Sequence, residues 1–216
     1  MRVWAVGVLV WIAAGGAAYA QSASTSFDRG FGMAVAQSSF GSSTSQSYGG
    51  EFGFRIKPRL IGFLEIGQVN DTAPSSLGTS AQAIASFVGR TQNNVGYSAS
   101  QPILFGVAGV RYTFPGQSQK LEPYVLGGAG IARVKRDVTF TVGGTDVTGS
   151  MGNYGVVLGS DLSGQETRPM VSLGGGVAWK AWQHLIIDFE YRYGYIWTGG
   201  QGTNLNRAGV GFGVWF

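Results

Sequence analysis

The sequence predicts an all-β chain, an eight-stranded antiparallel up-and-down barrel that spans a membrane, and three observations lead to it. The first is alternation. From Arg207 to Phe216 (RAGVGFGVWF), Ala208, Val210, Phe212, Val214 and Phe216 fall on one parity and Arg207, Gly209, Gly211, Gly213 and Trp215 on the other. Successive side chains of a strand point to opposite faces, so this stretch is a strand with one apolar face and one nearly bare face. The second is composition: charged residues make up 12% of the chain and Gly 37 of its 216 residues, yet past residue 20 no apolar run reaches the length of a membrane helix. Low charge without long apolar runs is what strands produce when every second residue faces lipid. The third is connection length, which alternates between short turns and long polar loops.

The amino terminus reads MRVWAVGVLVWIAAGGAAYAQS. Arg2 gives a positive start, Val3 to Ala14 an apolar core, and Ala18-Tyr19-Ala20 an A-x-A cleavage signal. Residues 1–20 therefore read as a secretory signal peptide cleaved after Ala20, and 21–216 as one mature domain. The apolar core is shorter than the roughly 20 residues that a spanning helix needs. No Cys is present, which excludes disulfide and thiol chemistry. The net charge of +4 comes from scattered basic residues, which speaks against nucleic-acid binding and leaves mild attraction to anionic lipid headgroups.

The strands follow in order. Phe27 to Gln37 sets Phe31, Met33 and Val35 against Asp28, Gly30, Gly32, Ala34 and Ala36, and the Ser- and Gly-rich stretch from Ser38 to Ser47 is a loop. Tyr48 to Ile56 sets Phe52, Phe54 and Ile56 against Glu51, Gly53 and Arg55; Lys57-Pro58-Arg59 is a tight turn, because Pro cannot continue a central ladder. Leu60 to Asn70 places Leu64 and Ile66 opposite Glu65 and Gly67, with Phe63 and Val69 blurring the pattern. Asp71 to Pro102 is a long polar insertion containing an amphipathic turn from Ala81 to Val88, and an insertion of this length is either functional or disordered. Ile103 to Phe114 is the fourth strand, followed by the turn Pro115-Gly116-Gln117-Ser118. Glu122 to Thr141 is the fifth and longest, its far half setting Arg133, Lys135 and Asp137 against Val134, Val138 and Phe140. Residues 143–169 form a second long loop. Met170 to Trp179 and Leu185 to Trp197 flank the short turn Ala181 to His184. In the latter strand Ile187, Phe189, Tyr191, Tyr193 and Tyr195 oppose Asp188, Glu190, Arg192 and Gly194. A polar loop from Thr198 to Asn206 leads into the closing strand.

Eight strands with short turns on one side and long loops on the other resemble the small eight-stranded outer-membrane barrels, the OmpA-like transmembrane domain and OmpX-type family. The residues that carry the resemblance are the signal sequence ending at Ala20, PYVLGGAGIARV from Pro123, DFEYRYGY from Asp188 and GVGFGVWF ending at Phe216. The resemblance implies an outer-membrane location, and it implies that Val210, Phe212, Val214 and Phe216 form the signal read by the barrel-assembly machinery. Unlike OmpA, the chain ends at its eighth strand, so cell-wall tethering by a peptidoglycan-binding domain is not expected.

The parity opposite the lipid face collects Asp28, Glu51, Arg55, Glu65, Arg111, Arg133, Lys135, Asp188, Glu190, Arg192 and Arg207. Eight strands enclose a space that side chains fill, and buried charges are costly unless paired. A lumen network is therefore expected, with Arg55, Arg111 and Arg192 bridging Glu51, Glu65 and Glu190; a narrow pore or ion path through the same residues is the alternative. The only histidine, His184, sits in a short turn with no Ser-x-His neighbour, so no catalytic set is expected. The glycine pairs lack a following GK[ST], so neither a nucleotide site nor any other cofactor site is indicated. Trp179, Trp182, Tyr193, Tyr195, Trp197, Trp215 and Phe216 cluster near strand ends as interfacial girdles would, with sugar- or base-stacking platforms as the alternative. The expected partners are outer-membrane lipid and lipopolysaccharide, and the barrel is expected to be monomeric. Its expected role is structural or interactive, presenting the two loops 71–102 and 143–169 outside the cell.

Overall fold

The computed structural model describes residues 29–41, 43–114, 120–160, 162–198 and 202–216. The expected signal peptide with its Ala18–Ala20 cleavage site, Asp28, and the turn at 115–118 lie outside the described residues. Ten strands are present among the described residues: β1 (Gly30–Phe40), β2 (Ser45–Lys57), β3 (Leu60–Val69), β4 (Val95–Ser100), β5 (Ile103–Thr113), β6 (Leu121–Val142), β7 (Thr145–Asp146), β8 (Gly164–Lys180), β9 (Leu185–Ile196) and β10 (Thr203–Trp215). Eight of them close a ring. Each of β1, β2, β3, β5, β6, β8, β9 and β10 pairs antiparallel with the next, and β10 returns to β1.

The register fixes the barrel's shape. A path across the ladders from Gly30 runs through Phe54, Gly62, Val110, Gly127, Leu173, Tyr193 and Asn206 and returns to β1 at Phe40, ten residues further on. With about 3.4 Å per residue and about 4.8 Å between strands, eight strands staggered by ten residues tilt by about 40° and enclose a cylinder of about 8 Å radius. Side chains fill such a space.

The outer surface is an apolar belt. Phe52, Phe54, Leu64, Ile66, Val110, Val125, Leu173, Phe189, Phe212 and Val214 all stand exposed on it. Between the rims, among the described residues, no outward position carries Asp, Glu, Lys or Arg. Aromatic rings stand at both edges. Tyr112 and Phe114 pack edge-to-face on the turn side, and Tyr195 and Trp197 do so on the loop side. There Tyr191 and Tyr193 donate to Asn206 Oδ1 and Asn204 Oδ1 at 2.8 and 2.6 Å. Such a belt, flanked by amphipathic rings, suits a hydrocarbon layer about 25 Å thick. Among the described residues no helix is long and apolar enough to cross a membrane.

Two faces differ from expectation. In β1, Phe31, Met33 and Val35 point into the barrel and Ala34 and Ala36 point out. They fit because β10 is bare where it faces them: a Cβ on Gly211 would meet Met33 Sδ at 2.9 Å. In β6 the inward residues are Tyr124, Leu126, Ala132 and Val134, so Arg133 and Lys135 face outward.

The expected loops are also structured. Residues 71–102 contain helix α1 (Ser75–Val88) and β4, which pairs with β6 from Asp137 to Val142. Residues 143–169 contain β7, a 3-10 segment at Thr148–Tyr154 and the start of β8. Gly143 and Gly144, at φ 57° and 83°, make the two-residue turn between β6 and β7. Positive φ at both central residues is what this hairpin turn demands, and glycine adopts it without a Cβ clash.

Candidate functional site: a charged layer inside the barrel and a cap above it

The barrel interior is layered. Along β3, Glu65 lies between Ile61 and Val69; along β9, Asp188, Glu190 and Arg192 lie between Ile186 and Ile196; along β10, Arg207 lies between Leu205 and Trp215. Loop-side, Val69, Ile103, Phe105, Ala132, Val134, Met170, Ile196 and Leu205 are each 2% exposed or less. Turn-side, Phe31, Ile61, Ala178, Ile186 and Trp215 form a second apolar layer. At that mouth Lys180 pairs with Glu122 at 2.8 Å, and its Nζ lies 4.9 Å from the Trp215 ring centroid.

Between the two apolar layers sits one ionic network. Arg192 is its hub: Nη1 donates to Glu65 Oε2 at 2.9 Å, Nη2 to Glu190 Oε2 at 2.7 Å, and Nη2 also to Glu51 Oε2. Arg207 reaches the other oxygen of Glu65 at 2.6 Å. Arg111 pairs with Asp188 at 2.9 Å and stacks its guanidinium 3.4 Å from the Tyr124 ring centroid. Tyr124 itself donates to Asp188 Oδ1 at 2.9 Å. The Tyr124 hydroxyl also reaches Glu190 Oε2 at 3.3 Å and joins the two parts, and Gln37 ties Glu190 to Arg207, donating to the first at 2.7 Å and accepting from the second at 3.1 Å. Arg111, Arg192, Arg207 and Asp188 are wholly buried. Taking charges out of water costs several kcal/mol per ion, and only close partners offset it. Here one guanidinium serves three carboxylates, so its loss would leave a buried carboxylate without an ion-pair partner.

Of the residues expected in the network, Glu51, Glu65, Arg111, Asp188, Glu190 and Arg192 meet in this layer. Arg55 does not. It lies past the turn-side layer, beside a β-bulge between Arg55 and Lys57, and is exposed at the rim. Arg133 does not either. The β6 register turns it out of the barrel on the loop-side extension, next to Lys135, which pairs with Asp137 at 2.7 Å. Gln37 and Tyr124 were missed. Gln37 shares parity with Phe31, which looked like a lipid-facing series, and Tyr124 sits in the glycine-rich start of β6. Counting back in twos from the apolar Val138 and Val134 places Tyr124 inside.

Val210, Phe212 and Val214 point outward on β10. Phe216 closes the seam: its backbone exchanges hydrogen bonds with Gly30, and its ring stacks on Phe52 with centroids 5.8 Å apart. His184 is exposed in the turn before β9, and its carbonyl accepts from Trp215 N at 2.8 Å. No group of three or more His, Cys, Asp or Glu is placed to hold a metal ion among the described residues.

Above the loop-side layer stands a small folded cap with its own core. Leu77, Ala81, Ala85 and Val88 form one stripe of α1, at the spacing that puts side chains on a single helix face. The stripe packs on Val138 and Phe140 of β6, Met151 and Leu162. The entry to this unit is pinned by Asp71, whose Oδ1 accepts from the backbone N of Ala73 and Gln101 at 2.8 and 2.9 Å. Asp146 holds the far end, accepting from Thr148 N and Oγ1, and Thr148 Oγ1 accepts in turn from Phe140 N at 2.8 Å. Those hydrogen bonds from Thr148 keep the Asp146 carboxyl below its ordinary value of 3.8.

No protein-family model matches the chain, and no curated protein matches it by sequence. Solved structures do resemble it. Neisserial surface protein A (NspA) superposes with a TM-score of 0.53 at 17% identity, over 87% of this chain and 96% of that one. A major outer membrane protein from Thermus thermophilus gives a TM-score of 0.55 at 12% identity, over 87% and 99% respectively. At such identities the likeness speaks for architecture alone. The chain folds as the small outer-membrane β-barrels do.

Proposed function

We propose that the protein is an integral outer-membrane barrel that does not conduct, and that anchors its folded cap at the cell surface for interaction. The observation that carries this reading is the sealed interior: an ion-paired layer held between two apolar layers, with Arg111, Arg192, Arg207 and Asp188 wholly buried. That burial favours a structural lumen over a narrow passive pore. The uncharged belt supports direct contact with lipid, and Arg133 and Lys135 above it stand where the anionic headgroups of lipopolysaccharide would lie. The barrel acts as a monomer with no catalytic role, and the outward column ending at Phe216 is what the assembly machinery reads during insertion. To test the arrangement, single variants Ser80→Cys and Gly152→Cys, at exposed cap positions of a chain with no cysteine of its own, are treated with a membrane-impermeant maleimide in intact cells and followed by gel migration without heating. Labelling of both positions in intact cells with a retained heat-modifiable barrel is expected; labelling of both only after lysis would overturn it.

A further inference from the structure

On the flank of the cap, between the carboxy-terminal half of α1 and β4, lies a cleft of about 510 Å³. Its polar lining is Gln82, Ser86, Gln92, Asn93, Asn94 and Tyr97, over a floor of Ala85 and Val95. None of these residues is acidic or basic. No side-chain hydrogen bond within the protein engages those amides or hydroxyls among the described residues, so their donors and acceptors are unspent. Tyr97, which lines the cleft, is 42% exposed.

This combination has a chemical meaning. A carboxamide offers donors and an acceptor side by side, which is the complement of neighbouring hydroxyls, each of which both donates and accepts. An exposed tyrosine adds an apolar face with a polar tip, suited to the C–H face of a pyranose ring. Absence of charge in the lining selects against phosphate, sulfate and carboxylate groups, whose desolvation would go unmatched. The walls are also fixed in place. Asn94 holds a left-handed backbone at φ 57°, its carbonyl accepts from Gly143 N at 3.0 Å, and α1 is locked on the cap core through Ala81 and Ala85. A backbone frame already in place lowers part of the ordering cost of binding.

We infer that this cleft is a binding site for a neutral saccharide, with Tyr97 as the stacking platform and Gln82, Gln92 and Asn93 as the hydroxyl-reading groups. The inference rests on the reading of the cap as the outward-facing part of the protein, but its test does not. The full chain in lipid nanodiscs is titrated with neutral oligosaccharides (chitotriose, maltotriose, N-acetyllactosamine) and, in parallel, with a sulfated heparin disaccharide and inorganic phosphate, read by saturation-transfer NMR. At least one neutral sugar is expected to bind saturably. Tyr97→Ala, and separately Gln82→Ala with Asn93→Ala, should each weaken it at least tenfold, while Tyr97→Phe stays within about twofold. Protease protection of α1 confirms that each variant keeps its cap. Binding confined to the anionic probes, saturation by none of the neutral sugars, or wild-type affinity in the folded variants overturns the assignment. Failure of cell-surface labelling with intact sugar binding would refute the orientation and leave the cleft standing.

Discussion

Replacing Arg192 by Met is the sharpest perturbation of the buried network. Arg192 touches Glu51, Glu65 and Glu190 at once. The three do not lose equally. Glu65 keeps Arg207 at 2.6 Å, and Glu190 keeps Gln37 at 2.7 Å and Tyr124 at 3.3 Å. Glu51 keeps nothing comparable, since Arg192 is its only ion-pair partner among the described residues and its Oε1 already lacks a partner. Removing one member of a buried pair costs about 3–5 kcal/mol because a buried charge is left alone. Arg192→Met should therefore lose at least about 3 kcal/mol of unfolding free energy, and adding Glu51→Gln should return about 1–3 kcal/mol of it. Adding Glu65→Gln instead should return less, because it strands Arg207. Urea unfolding in lipid vesicles, followed by tryptophan fluorescence and by heat-modifiable migration, measures all three. If Arg192→Met stayed within about 1 kcal/mol of wild type, or if Glu65→Gln rescued it better than Glu51→Gln, the hub assignment would be refuted.

Other outcomes follow from single contacts. A side chain at Gly209 would collide with the Gln37 Cα and the Ala36 carbonyl, so Gly209→Val should disrupt both the Gln37 bridge and the β1–β10 seam and lower the yield of heat-modifiable barrel severely. Phe140→Ala removes a fully buried ring from the cap; large-to-small core changes of this kind cost about 3–5 kcal/mol, and the cap should become protease-sensitive while the barrel keeps its gel shift. Asp146 ionises more readily in the folded cap than in the unfolded chain. Its contribution is thus complete above its ordinary value of 3.8 and is lost as pH falls through its lower folded value, so acid should loosen wild-type cap protection but have a smaller effect on Asp146→Asn. Arg59 holds φ 68° in the turn between β2 and β3, where a residue with a Cβ is strained by about 1 kcal/mol; Arg59→Gly should raise the unfolding midpoint slightly.

Strand β9 was legible because its two faces differ in kind: aromatics alternate with Asp188, Glu190 and Arg192, so inside and outside announce themselves. Strand β1 was not, because parity reports which residues share a face and not which face that is. There the larger side chains, Phe31, Met33 and Val35, go inward to fill room left by Gly209, Gly211 and Gly213 on β10, and across from them the outer face carries the small residues Gly32, Ala34 and Ala36. Arg133 misled for a related reason. Charge suggests the lumen only while a strand is inside the membrane, and β6 continues past it to Val142. The cap was legible only in its last turns, Ala81 to Val88, because no side-chain cap marks the start of α1 at Pro74 and half of its stripe is alanine. Its core exists only once β6, Met151 and Leu162 arrive from later in the chain. The Gly143-Gly144 pair between Val142 and Thr145 was the readable signal of a hairpin inside the second loop.

Planar-bilayer recording on the purified, heat-modifiable wild-type protein tests the sealed-anchor reading most directly. With ion pairs closed between two apolar layers, the expected trace shows no stepwise conductance above the bare membrane at moderate voltage. Reproducible single-channel steps that scale with the amount of folded barrel would contradict it.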